Sequence, residues 1–117
     1  MQLDNIVSRF TEFCGLSQEE GEKRRTLCAD AMGRVQAMQS GAPGGEGPLE
    51  AYAAAMACRR FVLLTLAAGG TLAIGEPVSG PEGARSAAEA LEEEYRRGAS
   101  PWLLPPEFCF RRTGGAL

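Results

Sequence analysis

Apolar side chains recur at Leu3, Ile6, Val7, Phe10 and Phe13, three and four positions apart, with Asp4, Ser8, Arg9 and Glu12 between them. This spacing lines one face of a helix, and Gly15 follows as a left-handed C-terminal cap. A second helix is predicted from Ser17 to about Gln39. Ser17 and Glu20 form a capping-box pair, Glu19, Glu20 and Glu22 suit the positive end of the helix dipole, and Lys23, Arg24 and Arg25 follow one turn on. Leu27, Cys28, Ala31, Met32, Val35 and Met38 keep helical spacing. Gly21 and Gly33 each weaken that helix by about 1 kcal/mol relative to alanine, so tertiary packing must hold it.

The third predicted helix, Leu49 to Ala68, breaks the amphipathic pattern. It is apolar round most of its circumference, spans about 30 Å, and has Pro48 at its entrance, where a missing amide hydrogen costs nothing. Ala53, Ala54, Ala55 and Ala57 permit close approach by neighbours, whereas Tyr52, Met56, Phe61, Leu63, Leu64 and Leu66 put bulk on several sides. Such a helix must be wrapped by other protein. Only three further helices are available, so a second subunit is a candidate for part of the cover.

Gly69-Gly70 interrupts the chain, and from Thr71 to Ser79 Leu72 and Ile74 alternate with Thr71 and Ala73. Gly75-Glu76-Pro77 reads as a turn or bulge and Val78 as the start of a return, which predicts a short β-hairpin or edge strand forming an arm. A fourth helix is expected from about Ala84 to Arg97, with Ala84, Ala87, Ala88, Leu91 and Tyr95 on one stripe and Gly98 as its cap. Ser100 to Pro106 is extended or turned by its prolines, and Phe108 and Phe110 share a side if the backbone there is a strand. This apolar tail is expected to dock on the protein or on a partner, with residues 111–117 frayed. Residues 41–48 hold four glycines and two prolines and read as a flexible loop. The expected fold is mainly α: a single domain, residues 1–117, forming a small bundle of about four helices with a β-arm at 71–79 between the last two.

Composition narrows the function. A chain of 117 residues, 44% hydrophobic, buries roughly 65% of its unfolded surface and folds without metal or disulfide staples. A net charge of −3 offers no broad attraction to polyanions, so no specific nucleic-acid binding is expected. The N-terminus lacks a basic stretch followed by an apolar core, so no signal peptide is expected. The run Phe61 to Ala68 is far short of the ~20 residues a bilayer crossing requires, which argues against a membrane partner.

The chain has no histidine, and its four cysteines, at 14, 28, 58 and 109, form no Cys-x-x-Cys pair. A zinc site is therefore not expected. Cys14, Cys28 and Cys58 fall on or beside apolar stripes, where a free cysteine acts as a small hydrophobe, in keeping with a reducing cytoplasm. No Gly-x-Ser-x-Gly elbow occurs, and carboxylates, lysine and tyrosine do not group into a nucleophile, base and orienter. The Gly44-Gly45-x-Gly47 cluster lacks the preceding strand and the Gly-Lys-Ser/Thr ending of a phosphate loop. Glu92, Glu93 and Glu94 are consecutive on a helix, so they diverge and read as a solvated face pairing with Arg96 and Arg97. No enzymatic activity, cofactor or metal is expected.

Arg59-Arg60 interrupts the apolar third helix, which requires each guanidinium to reach solvent or a carboxylate. A pair with a glutamate of the fourth helix, or a salt bridge to another subunit, satisfies that requirement. Arg111-Arg112 follows the aromatic pair and is a further contact for an acidic partner or passing DNA.

The order of elements resembles the small head-tail connector (head-completion or adaptor) proteins of tailed phages and prophages. The matching stretches are Ala51-Tyr-Ala-Ala-Ala-Met-Ala-Cys-Arg-Arg-Phe61, Ile74-Gly-Glu-Pro-Val-Ser79, Ala87-Ala-Glu-Ala-Leu-Glu-Glu-Glu-Tyr95 and Phe108-Cys-Phe-Arg111. The likeness covers residues 49–112 and is one of layout; Pro77, where the family has a polar residue, and the 41–48 loop depart from it. It implies a non-enzymatic subunit, found in the bacterial cytoplasm or the virion. Such a subunit forms a homo-oligomeric ring of about a dozen copies beneath the portal and contacts portal and neck or tail proteins. Arg59, Arg60, Leu72, Ile74, Val78, Trp102, Phe108 and Phe110 are the candidate subunit or partner contacts. The alternative reading is a small helical regulatory or protein-interaction module that binds its partner through the third helix or the aromatic tail.

Overall fold

The computed structural model describes residues 1–69 and 80–105. Five α-helices and one 3-10 turn lie within them: α1 (Leu3–Cys14), α2 (Gln18–Lys23), α3 (Arg25–Met38), α4 (Glu46–Ala67), α5 (Gly80–Ala99) and the turn Ser100–Trp102. The expected mainly α class holds. Residues 71–79, expected to form the β-arm, and the tail from Pro106 onward lie outside the described residues. The sole β-type pairing among those described is an isolated antiparallel bridge between Gln39 and Leu103.

α4 is the axis of the bundle, and α1, α3 and α5 pack against it. Cross-contacts set the directions. Gln2 and Asn5 meet Glu50 while Cys14 meets Cys58, so α1 runs in the same sense as α4. Arg24 lies over Phe61 and Asp30 pairs with Arg60, so α3 runs opposite. Tyr95 and Gly98 flank Gly47 and Pro48 while Glu92 pairs with Arg59, so α5 also runs opposite.

The core joins Ile6, Val7, Phe10 and Cys14 of α1 to Cys28, Ala31 and Val35 of α3, and to Ala84, Ala88 and Ala99 of α5. Between them lies an α4 surface in which Ala53, Ala54, Ala55 and Val62 are wholly buried and Leu49, Tyr52 and Phe61 nearly so. Phe10 and Phe61 meet edge to face at 5.8 Å between centroids, a geometry that aligns ring edge with ring face. The wrapping expected for this helix is thus supplied from 49 to 62 by the chain's own helices. It stops there: Leu63 and Leu64 are 37% and 56% exposed.

Three boundaries differ from those expected. The predicted helix over 17–39 is two helices, with Arg24 at φ −102°, ψ 17° between them. Ser17 Oγ caps the first by accepting the Glu20 amide at 3.2 Å. Gly21 lies so close to Thr11 of α1 that a Cβ there would collide with the threonine side chain, which accounts for a glycine inside a helix. The bend at Arg24 lets the chain pass from this tight contact with α1 to α3 packed on α4, and it places the Arg24 guanidinium 5.3 Å from the Phe61 ring centroid. Helical spacing persists across the bend, so periodicity alone does not reveal it.

α4 begins at Glu46, earlier than expected, and Pro48 sits inside its first turn. The glycine loop shortens accordingly. Gly45, at φ 77°, precedes the helix, and the Trp102 ring occupies the space a Cβ would need there, so both backbone conformation and room demand glycine. α5 extends beyond both expected ends and passes through Gly98, which is not its cap. The α-helix gives way instead to the 3-10 turn Ser100–Trp102 at Pro101, which has no amide hydrogen to continue the α ladder. The chain then turns onto α3: Ser40 N–H donates to Trp102 O at 3.0 Å and Leu104 N–H to Met38 O at 2.8 Å. The expected docking of the apolar tail holds for residues 102–104.

Phe10→Ala removes a fully buried ring and its edge contact with Phe61; urea denaturation is expected to show a loss of about 3–5 kcal/mol with an unchanged slope.

Candidate functional site

Successive residues of a helix point about 100° apart, and Arg59 and Arg60 of α4 accordingly part company. Arg59 reaches α5, where Nη1 donates to Glu92 Oε2 at 2.8 Å. Its Nε is buried without a hydrogen-bond partner among the described residues. Arg60 reaches α3 and meets Asp30 at 3.3 Å, a carboxylate that also receives Arg34 at 3.3 Å. Of the two accounts of these arginines, pairing within the chain is the one observed.

Between the two arms lies a groove of about 310 Å³ lined by Arg34, Met56, Arg59, Arg60, Leu63 and Glu92. Met56, Arg60 and Leu63 are spaced four and then three residues apart, so they share one face of α4. Leu64 adjoins them one helical turn beyond Arg60. The result is a strip that mixes exposed leucine with arginine stems, located where α4 emerges from its three neighbours.

Glu92, Glu93 and Glu94 do not act as one solvated face. Glu92 turns inward to Arg59, whereas Glu93 accepts from Arg96 at 2.7 and 2.9 Å and from Arg97 at 3.2 Å. The hydrogen bonds from Arg96 hold the Glu93 carboxyl below the usual glutamate range, with Arg97 adding to the effect. Arg59, Arg96, Glu89, Glu92 and Glu93 line, with Tyr52, a second open groove of about 490 Å³. Both grooves are shallow and flanked by ion pairs.

The remaining predicted contacts lie elsewhere. Trp102 covers the start of α4, its Nε1–H donating to Pro43 O at 3.2 Å. Measured along α4 from Gly45 to Arg59, that is about 20 Å from the arginine pair. Trp102 therefore closes a loop of its own chain. Leu72, Ile74, Val78, Phe108 and Phe110 lie outside the described residues.

Three residues that matter escaped the sequence reading. The sequence places Leu63 and Leu64 with the bulk that needs wrapping, although the neighbouring arginine pair signals that the helix reaches solvent near that point. Glu50, 6% exposed, accepts the Gln2 amide at 2.6 Å and the Asn5 side-chain amide at 3.3 Å. It satisfies an orphan donor at the start of α1, a helix whose own N-cap side chain makes no capping bond. Such a cap from a distant helix has no local sequence signature.

The described thiols are poor nucleophiles. Burial pushes Cys28 up to about 12, and the hydrogen bond with Cys58 together with burial pushes Cys14 up as well. Among the described residues no three His, Cys, Asp or Glu side chains group as a metal site, and no helix is long and apolar enough to cross a membrane. Comparison with protein-family models, with curated proteins and with solved structures finds no match for this chain.

Two measurements check this surface. A double-mutant cycle on Arg59→Met and Glu92→Gln is expected to give a coupling of about 1 kcal/mol, at the top of the range for exposed pairs because Glu92 is mostly enclosed. Glu93 has a folded pKa below its unfolded one, so its contribution to stability is full above the ordinary glutamate pKa and disappears as pH falls through the depressed value. A carboxyl NMR titration is expected to place the Glu93 midpoint below the ordinary value and to return it toward that value in Arg96→Gln.

Proposed function

We propose that this chain is a non-enzymatic structural subunit of a phage or prophage neck, assembling into a ring that connects the head portal to the tail. The observation that carries this reading is the end of α4, where Leu63 and Leu64 stand exposed beside Arg59 and Arg60 on an otherwise wrapped helix. Methionine and arginine are enriched at protein interfaces, and Met56, Arg59 and Arg60 line the groove here beside Leu63. A closed ring repeats one heterologous contact, so each copy needs two different patches. The leucine-arginine strip supplies one. The 71–79 segment, read from its sequence as a β-arm and following directly on this end of α4, is the proposed second. The layout resemblance over residues 49–112 supports the same role, and the mildly acidic chain avoids retaining DNA in the channel.

Size-exclusion chromatography with light scattering tests this, on the chain alone and mixed with the portal. Closed rings, or monomers that assemble only on the portal, are expected, with Leu64→Glu weakening assembly at least tenfold at an unchanged melting temperature. A stable dimer that ignores the portal overturns the proposal in favour of a helical interaction module.

A further inference from the structure

The end of α1 meets the middle of α4 through sulfur. Cys14 Sγ and Cys58 Sγ lie 2.9 Å apart inside the core, at 5% and 0% exposure, although 44 positions separate them in the chain. A bonded pair sits at about 2.05 Å, so an approach of roughly 0.9 Å joins them. α1 is already held against α4 at its other end by Glu50 and one turn from the sulfurs by the Phe10–Phe61 contact. We propose that Cys14 and Cys58 form a site of covalent modification, an intramolecular disulfide that locks α1 to α4 within the packing already present.

The chemistry requires an oxidant of the peroxide class. Cys14, in the last turn of α1 and the less enclosed of the two, is the sulfur reached first. Its Sγ attacks one peroxide oxygen, the O–O bond breaks, and a sulfenic acid forms as one water departs. Cys58 Sγ then attacks the Cys14 sulfur; the S–S bond forms, the S–O bond breaks, and the hydroxyl leaves as a second water with the Cys58 proton. Two thiols and one peroxide become one disulfide and two waters. Because the hydrogen bond with Cys58 and burial push the Cys14 thiol up, the attacking thiolate is scarce and the reaction is slow, on a scale of minutes to hours. Cys28, on α3, is the third thiol of the core and the competing partner within it.

Closing so long a loop constrains the unfolded chain more than the folded one. The melting temperature is therefore expected to rise by roughly 10–15 °C on oxidation. The test treats the reduced full chain with hydrogen peroxide, blocks residual thiols in denaturant, and maps the peptides by mass spectrometry. The expected product is two hydrogen masses lighter, links Cys14 to Cys58, melts higher than the reduced chain, and returns to it with dithiothreitol. The linkage persists in Cys28→Ala and Cys109→Ser and is lost in Cys58→Ala. Full alkylation of Cys14 and Cys58 after peroxide, a linkage of either to Cys28 or Cys109, or a lower melting temperature on cross-linking overturns the proposal. None of these outcomes depends on whether the chain assembles into a ring.

Discussion

The alanine surface of α4 is the constraint on which the rest of the structure depends. Ala53, Ala54, Ala55 and Ala57 are almost wholly buried, and small side chains at such a surface leave room for close approach by the three helices that pack on α4. Alanine contributes little burial energy by itself. Its role is to let Phe10, Ile6, Val35 and Val62 reach one another across the axis, where close packing makes many small dispersion contacts additive. A larger side chain on that surface would drive one partner off the rod and open the others.

Two charges set the register of this packing. Glu50 near one end of the wrapped segment and Arg59 near the other would each be costly to bury alone. Glu50 accepts from the Gln2 backbone amide and the Asn5 side-chain amide, and Arg59 is held by Glu92 of α5. A slip of α1 or α5 along α4 would strand one of them. Apolar contacts tolerate such a slip far better, so the polar pairs specify an alignment that the hydrophobic core merely permits.

Three residues past Arg59, beyond Val62, the continuous wrapping of α4 ends. Past Val62 only part of α4 stays packed, Leu66 against the core, and Leu63 and Leu64 face outward beside two guanidiniums that are already neutralised within the chain. A surface of this kind attracts a partner through apolar contact and shape more than through net charge.

Much of this was legible from residue order. The face of α1 and its Gly15 cap, the need to wrap α4, the buried cysteines and the pairing of Arg59 with a glutamate of α5 all follow from local periodicity and the cost of burying charge. The bend at Arg24 was not, because it preserves helical spacing and is set by how closely Gly21 approaches Thr11. Nor was the demand for glycine at position 45, which comes from a tryptophan 57 positions later in the chain. The Glu50 cap on α1, the meeting of Cys14 with Cys58 and the exposure of Leu64 share that origin. Local sequence determined which segments are helical and which faces are apolar, since those depend on neighbours a few residues apart. Which buried groups touch, and where the wrapping ends, was decided only by tertiary structure, because those contacts join residues whose separation along the chain carries no periodic signal.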